Sequence, residues 1–198
     1  MTGPRMHVAI GYTRALWVVV LLNGGYGVIE IVGGFVSDSQ ALKADALDFI
    51  GDGVITLLGL LVIGWSIVWR SRTALLQGIF LGVLGLSVFA TTLYRVIAQE
   101  MPDAGLMGLF GIVGLIVNIA AAMVLIPHRG GDVNVRAMWL FSRNDAIGNL
   151  AVVIAAVLVA VTGSSGPDLV VAFVISGLFL QSSWRIIGDA RHALQTGT

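Results

Sequence analysis

The chain contains no cysteine, which excludes disulfide staples and thiolate metal ligands together. Charge is scarce: 11% of the 198 residues are Asp, Glu, Lys or Arg, against ~25% in soluble domains, so a water-exposed globule is excluded. No net sign is left over, because 11 basic residues balance 11 acidic ones, and nothing implies a nucleic-acid partner. Histidine is rare too. His7, His128 and His192 are scattered outside the apolar runs and read as surface residues. What is abundant is apolar: 57% of residues are hydrophobic and the mean hydropathy is +0.95. A hydrocarbon core ~30 Å thick needs about 20 apolar residues per helix, so a chain of this length holds about six spans and no soluble domain.

The expected class is therefore an all-α polytopic membrane protein forming a single transmembrane domain. Apolar runs broken by charge or turn clusters predict spans at 15–36, 41–69, 74–97, 105–127, 138–162 and 168–187. Turn chemistry marks the breaks: Ser37 to Gln40, Pro102 with Asp103, Pro127 with Gly130 and Gly131, and Gly163 to Asp168. Glu30 inside the first run, with no small-residue cleavage site after it, reads as a retained helix and not a signal peptide. With both termini cytoplasmic, Arg5, Arg14, Arg70, Arg72, Arg129, Arg136, Arg143, Arg185 and Arg191 fall on the inner side. Only Lys43 and Arg95 are left toward the outer side, as the positive-inside rule requires.

The 26 glycines are spread through the spans. Gly78 and Gly82 form a GxxxG, and Gly105, Gly108, Gly111 and Gly114 recur every three residues, a pattern that lets helix backbones approach closely.

Five of the acids lie where the membrane would be: Glu30 on the first span, Asp45, Asp48 and Asp52 on the second, and Asp145 on the fifth, one turn before Asn149. Each ionised side chain costs several kcal/mol at mid-membrane, so the five need a common reason. Asp45, Asp48 and Asp52 are spaced three and four apart and share a helix face. Cations, either a bound metal or protons, would neutralise such a cluster. Span five is antiparallel to span two, and counting ~1.5 Å per residue sets Asp52 and Asn149 at similar depth. Asp48, Asp52, Asp145 and Asn149 are thus the candidate ligands of a divalent ion, with Glu30, Asp45 and Asn23 as candidate proton-coupling or supporting groups. Buried ion pairs to Lys43 or Arg143 are the competing reading, but both cations lie near membrane faces, where they can snorkel. Asn23 and Asn118 are equally compatible with interhelical hydrogen bonding.

With these residues in hand, the chain resembles the cation diffusion facilitator family of divalent-metal transporters. Asn23, Glu30, Gly33, Gly34 and the stretch from Ser39 through Asp45, Asp48 and Asp52 are similar to the family's first two helices. There the second helix carries HxxxD or DxxxD. Ser142 to Asn149, with Asp145 inside it, resembles the fifth helix. The resemblance implies a homodimer of six-helix protomers in the inner (cytoplasmic) membrane, moving Zn2+ or a related ion outward against protons. No tightly bound cofactor is implied; metal and protons are cargo. By position the resemblance carries the ligand role to Asp48, Asp52 and Asp145. The family's usual fourth ligand, a His, is replaced by Phe141, so Asn149, Asn144, Asp45 or a water has to substitute. An all-oxygen set is harder and widens the candidate metals to Cd2+, Co2+, Mn2+ and Fe2+. Only residues 188–198 follow the last span, so the family's cytoplasmic metal-binding domain is expected to be missing, as in truncated members. Dimer contacts would then fall on the small-residue faces of spans three and four.

Two readings from other classes compete. A membrane-embedded phosphatidyltransferase-like lipid enzyme would hold metals on several Asp residues, but it needs DGxxAR where this chain has Asp52-Gly53-Val-Ile-Thr. A non-transporting assembly subunit would move no ion.

Overall fold

The computed structural model describes residues 10–61, 66–98, 101–128 and 133–196, with the side chains of 10, 12, 67, 70, 128, 133–144 and 196 outside that description. Six long helices follow one another: α1 (Ile10–Val36), α2 (Gln40–Leu61), α3 (Ile67–Ala98), α4 (Ala104–Leu125), α5 (Val133–Thr162) and α6 (Gly166–Thr196), with a 3-10 turn at Ile126–His128. There is no strand among the described residues. Five of the six helices are long and apolar enough to cross a membrane. The other, α2, has 22 residues and so about the ~30 Å a span needs, but it carries Lys43, Asp45, Asp48 and Asp52. The chain is an all-α polytopic membrane protein.

Local chemistry sets the helix ends. Asp103 caps α4 by accepting from the Leu106 N–H at 2.9 Å. Gly163, at φ 61°, closes α5 with its N–H on the Val159 carbonyl at 2.9 Å. Gly166-Pro167-Asp168 opens α6 with proline and an acid in the first turn, both favoured there. Between α1 and α2, Asp38 takes the left-handed region at φ 57°, a conformation that costs ~1–2 kcal/mol without glycine and that Asp tolerates better than most.

The expected second span, 41–69, runs over two helices: α2 is described to Leu61, residues 62–65 lie outside the described residues, and residues 67–69 belong to α3. Leucine, isoleucine, valine and tryptophan dominate the stretch, and hydropathy sees no boundary inside a continuous apolar run. Likewise α6 continues from the expected end at 187 to Thr196, because apolarity measures the membrane and not the helix.

Helix α2 is central, in contact with each of the other five. That placement reconciles its charges with the bilayer, since its acids face protein. Close crossings bring α1 against it: a Cβ at Gly27 would meet Ile50 at 2.8 Å, and one at Gly34 would meet Lys43 at 2.8 Å. The core joins Ala41, Leu42 and Ala44 of α2 to Leu81 and Val88 of α3, Val152 and Ala155 of α5, and Ala172 and Phe179 of α6. A smaller cluster, Leu16, Val19, Ala121 and Leu125, joins α1 to α4. Large apolar side chains such as Ile97, 80% exposed, and Val161, 79% exposed, cover the outside, as a lipid-facing surface requires.

Glycine makes the two other close pairings. On α3, a Cβ at Gly78, Gly82 or Gly85 would run into Ile187, Ser183 or Phe179 of α6 at 2.6–2.8 Å. On α4, Gly108, Gly111 and Gly114 meet Ala156, Val152 and Asn149 of α5. The expectation that these small-residue faces make dimer contacts is therefore corrected: both are covered within the chain. A stripe of small residues identifies a close approach but not the partner helix, which in this chain is its own α5 or α6.

Candidate cation site

The acids converge where α1, α2 and α5 meet. Asp45 and Asn149 touch directly, the Asn149 Nδ2 donating to Asp45 Oδ1 at 3.3 Å. The same nitrogen donates to the Asp145 carbonyl one turn earlier at 3.2 Å, which fixes the amide and turns its oxygen toward α4. Gly114 makes room for that oxygen: a Cβ there would collide with Asn149 Oδ1. On the other side the Glu30 carboxyl lies against Asp45 and accepts from the Tyr26 hydroxyl at 3.5 Å. The same hydroxyl reaches the Phe110 carbonyl of α4, so its single proton is shared between the two acceptors, and the ring is braced edge-on by Phe49, centroids 4.9 Å apart. A second pairing forms deeper along α2, where the Asp52 and Asp145 carboxyls face one another. Asp48 is within electrostatic reach of Asp45, Asp52 and Asp145.

The sequence-derived candidates Asp45, Asp48, Asp52, Asp145, Asn149 and Glu30 thus lie in one neighbourhood. Phe141, Arg143 and Asn144 have side chains outside the described residues, and so does the whole of His7. His192 is exposed on α6. Among the described residues no three carboxylates or histidines already stand close enough to enclose a metal ion; the acids stand in pairs.

Exposure divides the cluster. Glu30, Asp45 and Asn149 are sealed, at 0%, 2% and 0% exposure, while Asp48, Asp52 and Asp145 keep partial access. The sealed group lies toward the end of α2 that begins at Gln40, and access grows toward Leu61.

Donors are missing throughout this interior. Asn23 Oδ1, Glu30 Oε2, Asp45 Oδ2, Asn118 Oδ1, Asp145 Oδ2 and Asn149 Oδ1 are buried and accept no hydrogen bond. Buried polar atoms are overwhelmingly satisfied in folded proteins, and carboxylate and amide oxygens can be satisfied only by protons, hydrogen-bond donors or cations. Among the described residues no basic side chain does this: their ion pairs join Lys43 and Arg95 to Asp38, at the α1–α2 turn. Tyr26 and the gap left by Gly114 are features of the site that sequence reading missed. Tyr26 had a signal, its i,i+4 spacing to Glu30, whereas the partner of Gly114 lies on another helix.

Residues 16–194 match the cation efflux transmembrane domain. The chain belongs to the cation efflux family. Within it, the zinc transporter ZitB of Escherichia coli is 29% identical over 199 residues, 93% of this chain and 63% of its own length. A cadmium, cobalt and zinc/H(+)-K(+) antiporter of Bacillus velezensis is 26% identical over 97% of this chain and 66% of its own length. The metal cation efflux system protein CzcD of Cupriavidus metallidurans is 25% identical over 94% and 63%. This cation efflux chain thus spans a little under two thirds of the length of these relatives. The family is one of transporters, not enzymes, and the phosphatidyltransferase-like alternative finds no support in it.

Proposed function

We propose that this cation efflux domain exports a divalent metal cation, Zn2+ first among the candidates, in exchange for protons by alternating access. The observation that carries the reading is the buried oxygen cluster between α1, α2 and α5, which has no basic side chain against it among the described residues: the acids are tolerable in the membrane only when protons or a metal ion neutralise them. Zn2+ is favoured because relatives are named as zinc transporters and as a cadmium, cobalt and zinc antiporter. An all-oxygen set still leaves Cd2+, Co2+, Mn2+ and Fe2+ as competitors.

In this reading Asp48, Asp52 and Asp145 are the ligands, with Asn149 Oδ1 as the fourth. Asp48, Asp52 and Asp145 are the acids that keep access toward the Leu61 end of α2, and Asn149 is sealed beside them. Metal arriving there displaces protons from the Asp52–Asp145 pair, which separates to take the ion. Glu30, Asp45 and Asn23 lie beyond, positioned to hold or pass protons. Reprotonation from the opposite face then expels the metal. The working protein is a homodimer through membrane helices in the inner membrane, with both termini cytoplasmic.

Proteoliposomes holding a lumenal pH dye test the reading against a panel of Zn2+, Cd2+, Co2+, Mn2+ and Fe2+. A metal-dependent proton signal with at least one ion, lost in Asp52→Ala and Asp145→Ala, is expected. No proton movement with any of them would sink the antiport reading, and metal uptake at the wild-type rate in the Asp52 variant would sink the site.

A further inference from the structure

The loops between α1 and α2, α3 and α4, and α5 and α6 share one end of the molecule, where the Asp103 N–H donates to the Ser37 carbonyl at 2.7 Å. At this end a single carboxylate from α6 holds the start of α2. Asp168, 1% exposed, accepts from the Gln40 N–H at 2.8 Å through Oδ2, and through Oδ1 from the Ala41 N–H at 3.0 Å and the Ser39 hydroxyl. Ser39 Oγ in turn accepts from the Leu42 N–H at 3.0 Å. The carboxylate therefore does for α2 what a helix cap does, but from another helix, with its charge on the positive end of the α2 dipole.

A second tie lies beside it. Asp38 accepts two hydrogen bonds from the Arg95 guanidinium near the end of α3 and one from Lys43 at 3.4 Å. With its amide oxygen turned toward the cations, Gln40 accepts from Arg95 Nε and Lys43 Nζ at 3.2 Å each. Both ties join the α3–α6 pair, closely packed through Gly78, Gly82 and Gly85, to the α1–α2 hairpin. Toward the other end, the described side-chain bond between these groups is one neutral contact, Gln77 Nε2 to the Ile55 carbonyl at 3.2 Å. Burial follows the same asymmetry. Ser39, Ala41, Leu42 and Ala44 are each 0% exposed, and Asp48 and Asp52, further along α2, are not sealed.

We propose that Asp168 is a positioning residue of the transport cycle: with the Asp38–Arg95 pair it forms a clasp that shuts the loop end over the acids and has to release before that end can open. The inference rests on the alternating-access reading, and it assigns the closed face and the side chains that close it. Asp168 touches no cation in this scheme. It acts by holding the acid-bearing helix α2 against α6, so its loss changes which face is open and not the affinity of the ligands.

The absence of native cysteine makes a single reporter clean. In the full-length chain, Ala44→Cys is introduced one turn below the clasp, the protein is reconstituted, and reaction with a membrane-impermeant maleimide is timed alone and in combination with Asp168→Asn or Arg95→Gln. Faster labelling, by about tenfold, is expected in both combinations, as a population shift toward the opened end. The Zn2+ dissociation constant of the purified proteins should stay within about twofold, the split that separates a positioning role from general loss of structure. Arg95→Gln guards against Asp168→Asn failing to fold, since it cuts the second tie and leaves the α2 cap intact. Labelling as slow as in the reporter alone, in every variant that folds, would overturn the clasp, and so would faster labelling accompanied by lost cation binding. A wild-type chain that moved no cation in the same vesicles would instead overturn the transport reading, because labelling does not depend on flux.

Discussion

Asn149 and Gly114 show how one missing methyl makes room for a buried oxygen. The Asn149 amide donates to Asp45 and to the Asp145 carbonyl, so its oxygen can point only into the gap that Gly114 leaves on α4. Gly114→Ala is expected to push that oxygen aside and weaken Zn2+ binding about tenfold, the scale of a lost supporting contact in a metal site. Asn149→Ala should weaken it similarly, and the double variant should be no worse than either single one, because both changes remove the same oxygen. Calorimetric titration of the three proteins checks this; additive losses would separate the two residues. Glu30 makes a complementary case. It is fully buried with one oxygen unsatisfied, so if it works as a proton carrier, Glu30→Gln should leave metal binding nearly intact and slow proton-coupled turnover. Stopped-flow metal uptake beside equilibrium binding distinguishes these.

Helices in a bilayer gain little from apolar burial against each other, so they depend on close approach. Gly78, Gly82 and Gly85 are spaced four and three apart and form one face against α6, where Ser183 also donates to the Gly78 carbonyl at 2.7 Å. A larger residue cannot enter without separating the pair. Gly85→Val is expected to destabilise the fold by about 1–3 kcal/mol, the usual cost of overpacking. Gly177→Val on α6, where a Cβ would meet nothing within 4 Å, should change little. Thermal unfolding in detergent compares the two, and equal midpoints would remove the close-packing argument. Helix α2 contrasts with this pair: glycine lets α1 approach it, but the hydrogen bonds to Asp168 from its first turn determine where it begins.

For the whole molecule, cation binding should stabilise the folded state by mass action. Zn2+ at ~100 times its dissociation constant adds about 2.7 kcal/mol, and Asp52→Ala should abolish that gain while leaving the cation-free midpoint near wild type. Unfolding curves with and without Zn2+ measure both, and an undiminished gain in the variant would move the ligands elsewhere. Much of this molecule was legible beforehand. The all-α membrane class and the clustering of acids follow from quantities local to the chain: apolar run length against membrane thickness, and acids spaced three and four apart on one helix. What lay beyond reach were features that exist only between helices. That residues 67–69 belong to α3 left no mark in hydropathy. The glycine stripes declared close approach but not that α5 and α6 would fill them. Asp168 reads in sequence as an ordinary loop acid, and becomes the cap of α2 only when α6 is placed beside it. The chain by itself determined that it crosses a membrane and which acids cross with it, because hydrophobicity and helical periodicity act over one turn or one span. The tertiary structure alone decided which oxygens stay without donors and which end of α2 is tied to α6, because both depend on neighbours more than 100 residues away in sequence.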